Sequence, residues 1–492
     1  MSAPQTLAYA FAKKHGVILL ALDEVAQVGL REGADSAALI ETRRALRRPL
    51  QILPLSRPEF EQRLSQAYGS AGLSAADDSL DESVGLDSLA ENLPATADLL
   101  DVVDDAPIIR LINGLIAEAV RQGASDIHIE PFETALVVRL RVDGILKEVL
   151  SLSHRLAPLL VSRVKVMARL DIAEKRIPQD GRISLTLGGR SLDVRVSTLP
   201  ARAGERLVMR ILHQDQAALG LEELGFSARA LEVYRNGLRE PNGIVLVTGP
   251  TGSGKTTSLY AGLSMLNDAT RNILTIEDPV EYAIKGLGQT QVNTKVGMTF
   301  AAGLRAILRQ DPDIVMVGEI RDGETAQIAV QASLTGHLVL STVHTNNAAG
   351  AITRLRDMGV EPFLLAATIR VVIAQRLVRR LCPVCRRAEP ADAAAASLAG
   401  VPVGHPLYRT VGCDECGHSG FAGRIGVYEA IRIDDRIRRL ISEMADEDAI
   451  SAVAFERGGT LAQEVHRYVA EGLTTVEEAI RVTRQEKSHV DI

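Results

Sequence analysis

The nonapeptide GPTGSGKTT, residues 249–257, decides how the rest of the chain is read. It follows the apolar run IVLVT and precedes a helix-compatible stretch, so it meets G-x-x-x-x-G-K-[ST] in the strand–loop–helix setting that this pattern requires. In such a loop Gly249, Gly252 and Gly254 let backbone N–H groups approach phosphate oxygens, and the helix amino terminus adds a favourable field. Pro250, Thr251, Ser253 and Thr257 complete the cradle, Lys255 reaches the β and γ phosphates, and the Thr256 hydroxyl is offered to Mg2+. The loop therefore implies ATP with Mg2+.

Working outward, the short apolar runs IVLVT, NILTI, DIVMV and HLVLSTV are separated by stretches long enough for helices. Continuous Val/Ile/Leu strands of this kind suit a parallel sheet covered on both faces, so residues 225–380 read as an α/β, RecA-like engine domain. Hydrolysis needs a group that activates water. Glu319, at the end of DPDIVMVGE, stands where a strand's carboxyl end meets the phosphate loop. Gly318 precedes it in place of a metal-holding Asp, so Glu319 combines metal duty with polarising water. Glu277, Asp278 and Glu281 of TIEDPVEY follow another buried strand and bring acids to the same sheet edge, solvated turn acids being the plainer alternative. His337 and His344 flank the strand of TGHLVLSTVHT and are candidates for sensing the γ-phosphate, with a structural role as the alternative.

A chain of 492 residues exceeds one ordinary core, so several domains are expected. Only 3% of residues are aromatic, none of them Trp, which argues against base-stacking platforms. A net charge of -7 argues against a protein built to grip phosphate backbones, so no nucleic-acid partner is expected. GVILLAL, 16–22, is far shorter than a membrane span and runs into Asp23 and Glu24. The reading is a cytoplasmic protein without a signal peptide.

Between Ala71 and Pro107 there is no Lys or Arg, while ten Asp and Glu accumulate among Ser, Gly and Ala. Such a segment repels itself and buries little apolar surface, so 71–104 reads as a flexible linker behind an N-terminal docking domain, 1–70. That domain carries the basic cluster Arg43, Arg44, Arg47 and Arg48, most simply a solvated helix face, and the Pro-started helix RPEFEQRLSQAYG. After the linker, apolar residues from Ile108 to Val120 recur at helical spacing and end near Gly123. The period-two run Leu136, Val138, Leu140, Val142 stops at Asp143-Gly144, and Gly188-Gly189 separates RISLTL from RSLDVRV, two hairpin signatures. Residues 105–215 thus read as an α+β domain in which Arg195 projects from the polar face of its hairpin.

Cys382/Cys385 and Cys413/Cys416 are the four cysteines, two C-x-x-C pairs whose short spacing presents paired sulfurs to a tetrahedral Zn2+. Four thiolates leave no open position, hence a structural zinc subdomain, 381–418, with an elongated insert and a helical region, 419–492, behind it. Reduced free cysteines or a redox pair are the alternatives.

With these motifs assembled, the chain resembles the secretion ATPase superfamily, and most closely the type II secretion system ATPases. GPTGSGKTT, TIEDPVEY, LRQDPDIVMVGEIRD and TGHLVLSTVHT occur in that family's order, with ASDIHIEP in the preceding domain, over about 105 to about 430. The resemblance implies a homo-hexamer that hydrolyses ATP to drive pseudopilus assembly and protein export, with a type IV pilus assembly ATPase or a nucleic-acid translocase as alternatives. It implies that Arg195 and Arg210 of the α+β domain close on phosphate, that Glu319, Lys255, Glu277 and His344 serve catalysis, and that a tetracysteine metal domain occupies 381–418. Arg305 and Arg309, four apart, are candidates for a phosphate or subunit boundary. It further implies that the docking domain binds inner-membrane secretion proteins, so that membrane association is peripheral, at the cytoplasmic face, and partner-mediated.

Overall fold

The computed structural model describes residues 7, 11–12, 15–23, 25–34, 37–57, 59–60, 63–64, 86, 106–187, 190–212 and 219–487. Apart from Leu86 the acidic segment 71–104 lies outside them, as do Asp105 and the Gly188-Gly189 turn. The chain divides into two compact units, Met1–Gln214 and Asp215–Ile492.

The first unit opens with three strands, β1 (Val17–Leu22), β2 (Ala26–Arg31) and β3 (Leu50–Leu55), in spatial order β1-β2-β3. β1 and β2 are antiparallel, whereas β2 and β3 are parallel and are linked through the helix Ala38–Leu46. Arg43, Arg44, Arg47 and Arg48 are all exposed, but only the first two lie on the helix, which ends at Leu46, so the expected solvated helix face runs on into the turn that follows. Two small cores hold this module, and one of them, around Ile18, Leu55, Phe60 and Leu64, also takes in Val166 and Ile172 of the following domain.

That domain is a six-stranded antiparallel sheet backed by two helices. The helix Ala106–Arg121 buries Ile108, Leu111, Ile112, Leu115, Ile116 and Ala119 and stops at Gly123, which takes φ +64°. It feeds β4 (Ala124–Pro131), β5 (Ala135–Val142) and β6 (Ile145–Ser153); the helix Ala157–Met167 follows, then β7 (Gln179–Leu187), β8 (Arg190–Ala201) and β9 (Gly204–Leu212). Asp143 and Gly144, both at positive φ, make the tight turn between β5 and β6 that the dipeptide announced. The order is β6-β5-β4-β9-β8-β7, with Ile127, Ile129, Val138, Leu140, Val194, Val196, Leu207 and Met209 on the face buried against the helices.

In the second unit the strands β10 (Gly243–Thr248), β11 (Ile273–Glu277), β12 (Gly288–Gln291), β13 (Ile314–Val317), β14 (Leu338–Val343) and β15 (Ile369–Leu381) are parallel in the order β12-β11-β13-β14-β10-β15. Alternate residues of β10 serve opposite cores: Ile244 and Leu246 pack on one side, Val245 and Val247 on the other. Burial on both faces is why these strands read as unbroken apolar runs. The short hairpin β16 (Arg387–Pro390) and β17 (Pro406–Arg409) lies between the cysteine pairs, and β18 (Phe421–Arg432) returns antiparallel to β15 as the sheet's edge. Four helices follow it among the described residues, the last being Val476–Lys487.

Candidate functional site

At the carboxyl end of β10 the chain turns through Gly249–Gly254 into the helix Lys255–Leu266. Gly249 (φ +147°) and Gly254 (φ +86°) admit no side chain: a Cβ would come within 2.4 Å of the Gln375 carbonyl at the first and 2.7 Å of its Nε2 at the second. Gln375 of β15 thus backs the loop and also accepts a hydrogen bond from Ser258 Oγ at 2.8 Å. Lys255 is buried; its Nζ donates to the carbonyls of Gly249 and Pro250 at 2.9 and 3.0 Å. Burial, with the nearby Arg376 charge and against the attraction of Glu319, lowers its pKa to about 8. Ser253 Oγ is buried without a hydrogen-bond partner in the structure. Excess positive charge, an orphaned hydroxyl and a glycine cradle are together what a polyphosphate satisfies. Thr256, second in the helix and half-buried, fits the Mg2+ position.

Glu319 follows β13, its side chain 12% exposed, with Oε1 at 2.5 Å from an Arg321 nitrogen and Oε2 at 3.4 Å from His344 Nε2. Two hydroxyls of β14 fix the preceding backbone: Ser341 Oγ donates to the Val317 carbonyl and Thr342 Oγ1 to that of Gly318, each at 2.8 Å. Burial first, then the charge of Lys255, hold His344 below the ordinary histidine value despite Glu319, so the imidazole is neutral at neutral pH. Lys255, Glu319 and His344 are therefore brought together.

The other sequence candidates have partners of their own. His337 precedes β14 at the end opposite His344, its Nδ1 2.9 Å from the Ala332 carbonyl. Glu277 is buried, and both its carboxylate oxygens are occupied: Thr275 Oγ1 and Gln289 Nε2 reach Oε1 at 2.6 and 3.2 Å, and the Tyr260 hydroxyl donates to Oε2. Arg305 pairs with Glu324 at 2.7 Å, while Arg309 donates to the Arg305 carbonyl at 2.9 Å. In the first unit Arg195 and Arg210 face each other across β8 and β9 on the sheet's polar side, 38% and 58% exposed.

Sequence reading missed Arg321, two residues beyond Glu319 in GEIRD, where the i, i+2 spacing was the available signal. It also missed Gln375, Arg376 and Glu429. Arg376 is buried and donates to the Asn346 carbonyl at 2.7 Å; Glu429, also buried, accepts from the backbone N–H of Ala348 at 2.7 Å and of Leu461 at 3.2 Å.

The four cysteine sulfurs lie within 4.8 Å of one another, the closest pairs 3.8–3.9 Å apart. A tetrahedral Zn2+ with bonds of about 2.3 Å needs sulfurs about 3.8 Å apart. Burial pushes the Cys416 thiol up, but backbone N–H groups of Cys413 and Gly420 donate to its sulfur and, with the adjoining thiols, bring it below the usual range, which suits a metal-binding thiolate. The long insert between the pairs is filled by the β16–β17 hairpin and the helix Ala393–Ala399.

Residues 101–481 match the family described as "Type II/IV secretion system protein", and 6–68 match a domain family described under "GSPII protein E". The chain is 56% identical over 488 residues to the "Type II secretion system protein E" of Pseudomonas aeruginosa, covering 98% of this chain and 97% of that one. It is 52% identical to the "Type II secretion system ATPase E" of Vibrio cholerae, covering 97% of each. Among solved structures, the pilus retraction motor PilT with bound ADP aligns with a TM-score of 0.53 at 27% identity, over 77% of this chain and 98% of that one. The Legionella pneumophila ATPase DotB aligns with a TM-score of 0.57 at 22% identity, over 76% and 95%, a likeness of fold.

Proposed function

Because the chain belongs to the type II/IV secretion system protein family, as an ATPase of its type II secretion branch, we propose that Lys255, Glu319 and His344 form the centre at which it hydrolyses ATP to power pseudopilus assembly and protein export. The observation that carries this reading is the Glu319 carboxylate, held between Arg321 and His344 and electrostatically coupled to Lys255.

The loop 249–257 cradles the triphosphate, and Lys255 exchanges its two carbonyl partners for β and γ oxygens. Mg2+, when bound at Thr256, neutralises phosphate charge. Glu319 accepts the proton of the attacking water as the water oxygen bonds to the γ phosphorus and the bond to ADP breaks; neutral His344, beside the Glu319 carboxylate, donates a hydrogen bond to it. Glu277 anchors the acidic loop that carries Asp278 and Glu281 through its bonds to Tyr260 and Gln289. Arg195 and Arg210 meet the charge that builds on the γ-phosphate. The four cysteines hold a structural Zn2+. The working form is a homo-hexamer, and residues 1–70 bind the cytoplasmic part of an inner-membrane secretion protein. No helix among the described residues is long and apolar enough to cross a membrane.

Glu319→Gln keeps the shape but removes the base. ATP turnover of the full chain is expected to fall by about a hundredfold or more with nucleotide binding retained, and export in cells to stop. Wild-type turnover or intact export would overturn the reading.

A further inference from the structure

On the polar face of the six-stranded sheet, the pairing registers line up five charged residues across five strands. Arg182 of β7 lies opposite Arg195 of β8, Arg195 opposite Arg210 of β9, Arg210 opposite Asp126 of β4, and Asp126 opposite Arg141 of β5. Three arginines in succession repel one another when placed directly across strands. Asp126 is the one acid in that row. It is only 4% exposed, and its two oxygens do different work: Oδ1 accepts from Arg210 Nε at 2.8 Å, whereas Oδ2 accepts from Ser125 Oγ at 2.7 Å and lies 3.8 Å from Arg141 Nε.

The contact through Nε matters chemically. A carboxylate bound at Nε fixes the plane and direction of the guanidinium while the two terminal nitrogens lie further out along the side chain, and Arg210 is 58% exposed. The acid is itself immobile, because it sits on a central strand and is tied to Ser125. Glu130 serves other arginines on the same face, Arg139 and Arg206, and makes no such pair with Arg210.

We propose that Asp126 is a positioning residue: it holds the Arg210 guanidinium in one attitude, with its terminal nitrogens turned outward for phosphate charge. This rests on the reading of Arg210 given above. Arginine is otherwise a flexible side chain, and holding it before the reaction removes an ordering cost at the moment charge develops. The effect belongs in kcat, since the interaction strengthens as the γ-phosphate departs.

The test is a double-mutant cycle in ATP turnover on the full-length protein, with Asp126→Ala, Asp126→Asn, Arg210→Ala and the doubles, alongside Glu130→Ala singly and with Arg210→Ala. Arg210→Ala is expected to lose about a thousandfold in turnover. Asp126→Ala should lose about tenfold or more in kcat with KM within about twofold. The double variant should be no slower than Arg210→Ala. Asp126→Asn, which keeps an acceptor oxygen, should recover part of the loss and serves in its place should the alanine variant melt early. Glu130→Ala should combine additively with Arg210→Ala. Wild-type turnover of Asp126→Ala beside a crippled Arg210→Ala, additive losses, or equal coupling from Glu130 would overturn the positioning role alone. An Arg210→Ala protein as fast as the parent would sink the reading of Arg210 and this proposal with it.

Discussion

Lys255 illustrates how a single side chain records what its site is for. Its ammonium is buried against two carbonyls, with Arg376 adding like charge, and its pKa falls to about 8. Between about pH 8 and the usual lysine range the folded chain therefore binds fewer protons than the unfolded one, so this residue makes folding more favourable as pH rises through that window. A triphosphate reverses the bias by restoring the charged form. Nucleotide binding at pH about 8.5 should then take up roughly three-quarters of a proton, read by calorimetry in two buffers of unequal ionisation enthalpy. Lys255→Met should show no uptake, and an unaltered proton count in that variant would place the shifted group elsewhere. The lysine and its glycines were legible because a phosphate loop is local chemistry in one short stretch. The partners that tune it were not: Gln375 and Arg376 lie more than a hundred positions away on β15 and arrive only because β10 pairs with that strand.

At the scale of elements, strand identity was readable from burial on both faces, and the Asp143-Gly144 turn from its own backbone demands. Strand order was not. β14 lies between β13 and β10, an order that no local pattern within the strands announces. Glu429 shows what such long-range placement achieves. From the edge strand β18 it accepts the first N–H groups of two helices, Ala348–Asp357 and Leu461–Ala470. Burial raises its pKa, against the pull of those two donors and of Arg376. Glu429→Ala leaves two buried donors unmet and should cost about 2 kcal/mol or more in denaturant unfolding, Glu429→Gln clearly less, since an acceptor oxygen remains. Equal losses would mean that volume, not acceptance, is what the site uses. The cysteine cluster behaves as an element of its own, two knuckles joined over a hairpin. We expect about one Zn2+ per chain by elemental analysis, none in Cys385→Ser/Cys416→Ser, and protease cleavage first within 381–418 when the metal is stripped. A metal-free wild type with full resistance would remove the zinc reading.

Across the whole molecule, the chemistry-bearing motifs are unevenly placed. The engine unit contains the phosphate loop and its acids, whereas the first 70 residues contain neither a nucleotide motif nor a clustered acid–base set. They form instead a small three-stranded module, matching a "GSPII protein E" domain family over 6–68, and ten acidic residues without a single Lys or Arg follow it before the sheet domain begins. On the proposal that residues 1–70 bind a partner, a self-repelling segment of that composition would serve as a tether, raising the local concentration of the engine at that partner. The module is not wholly separate, since Val166 and Ile172 of the sheet domain share one of its cores. Removing it therefore uncovers two apolar side chains, and turnover has to be measured on the shortened chain before its localisation is interpreted. A chain beginning at Asp105 should keep basal ATP turnover within about threefold, because the loop, Glu319 and the arginines are all retained. It should fail to co-sediment with inner-membrane vesicles that carry the secretion apparatus, while the full chain does so. Co-sedimentation of the shortened chain at the full-length level would show that the engine or the sheet domain carries the membrane address instead.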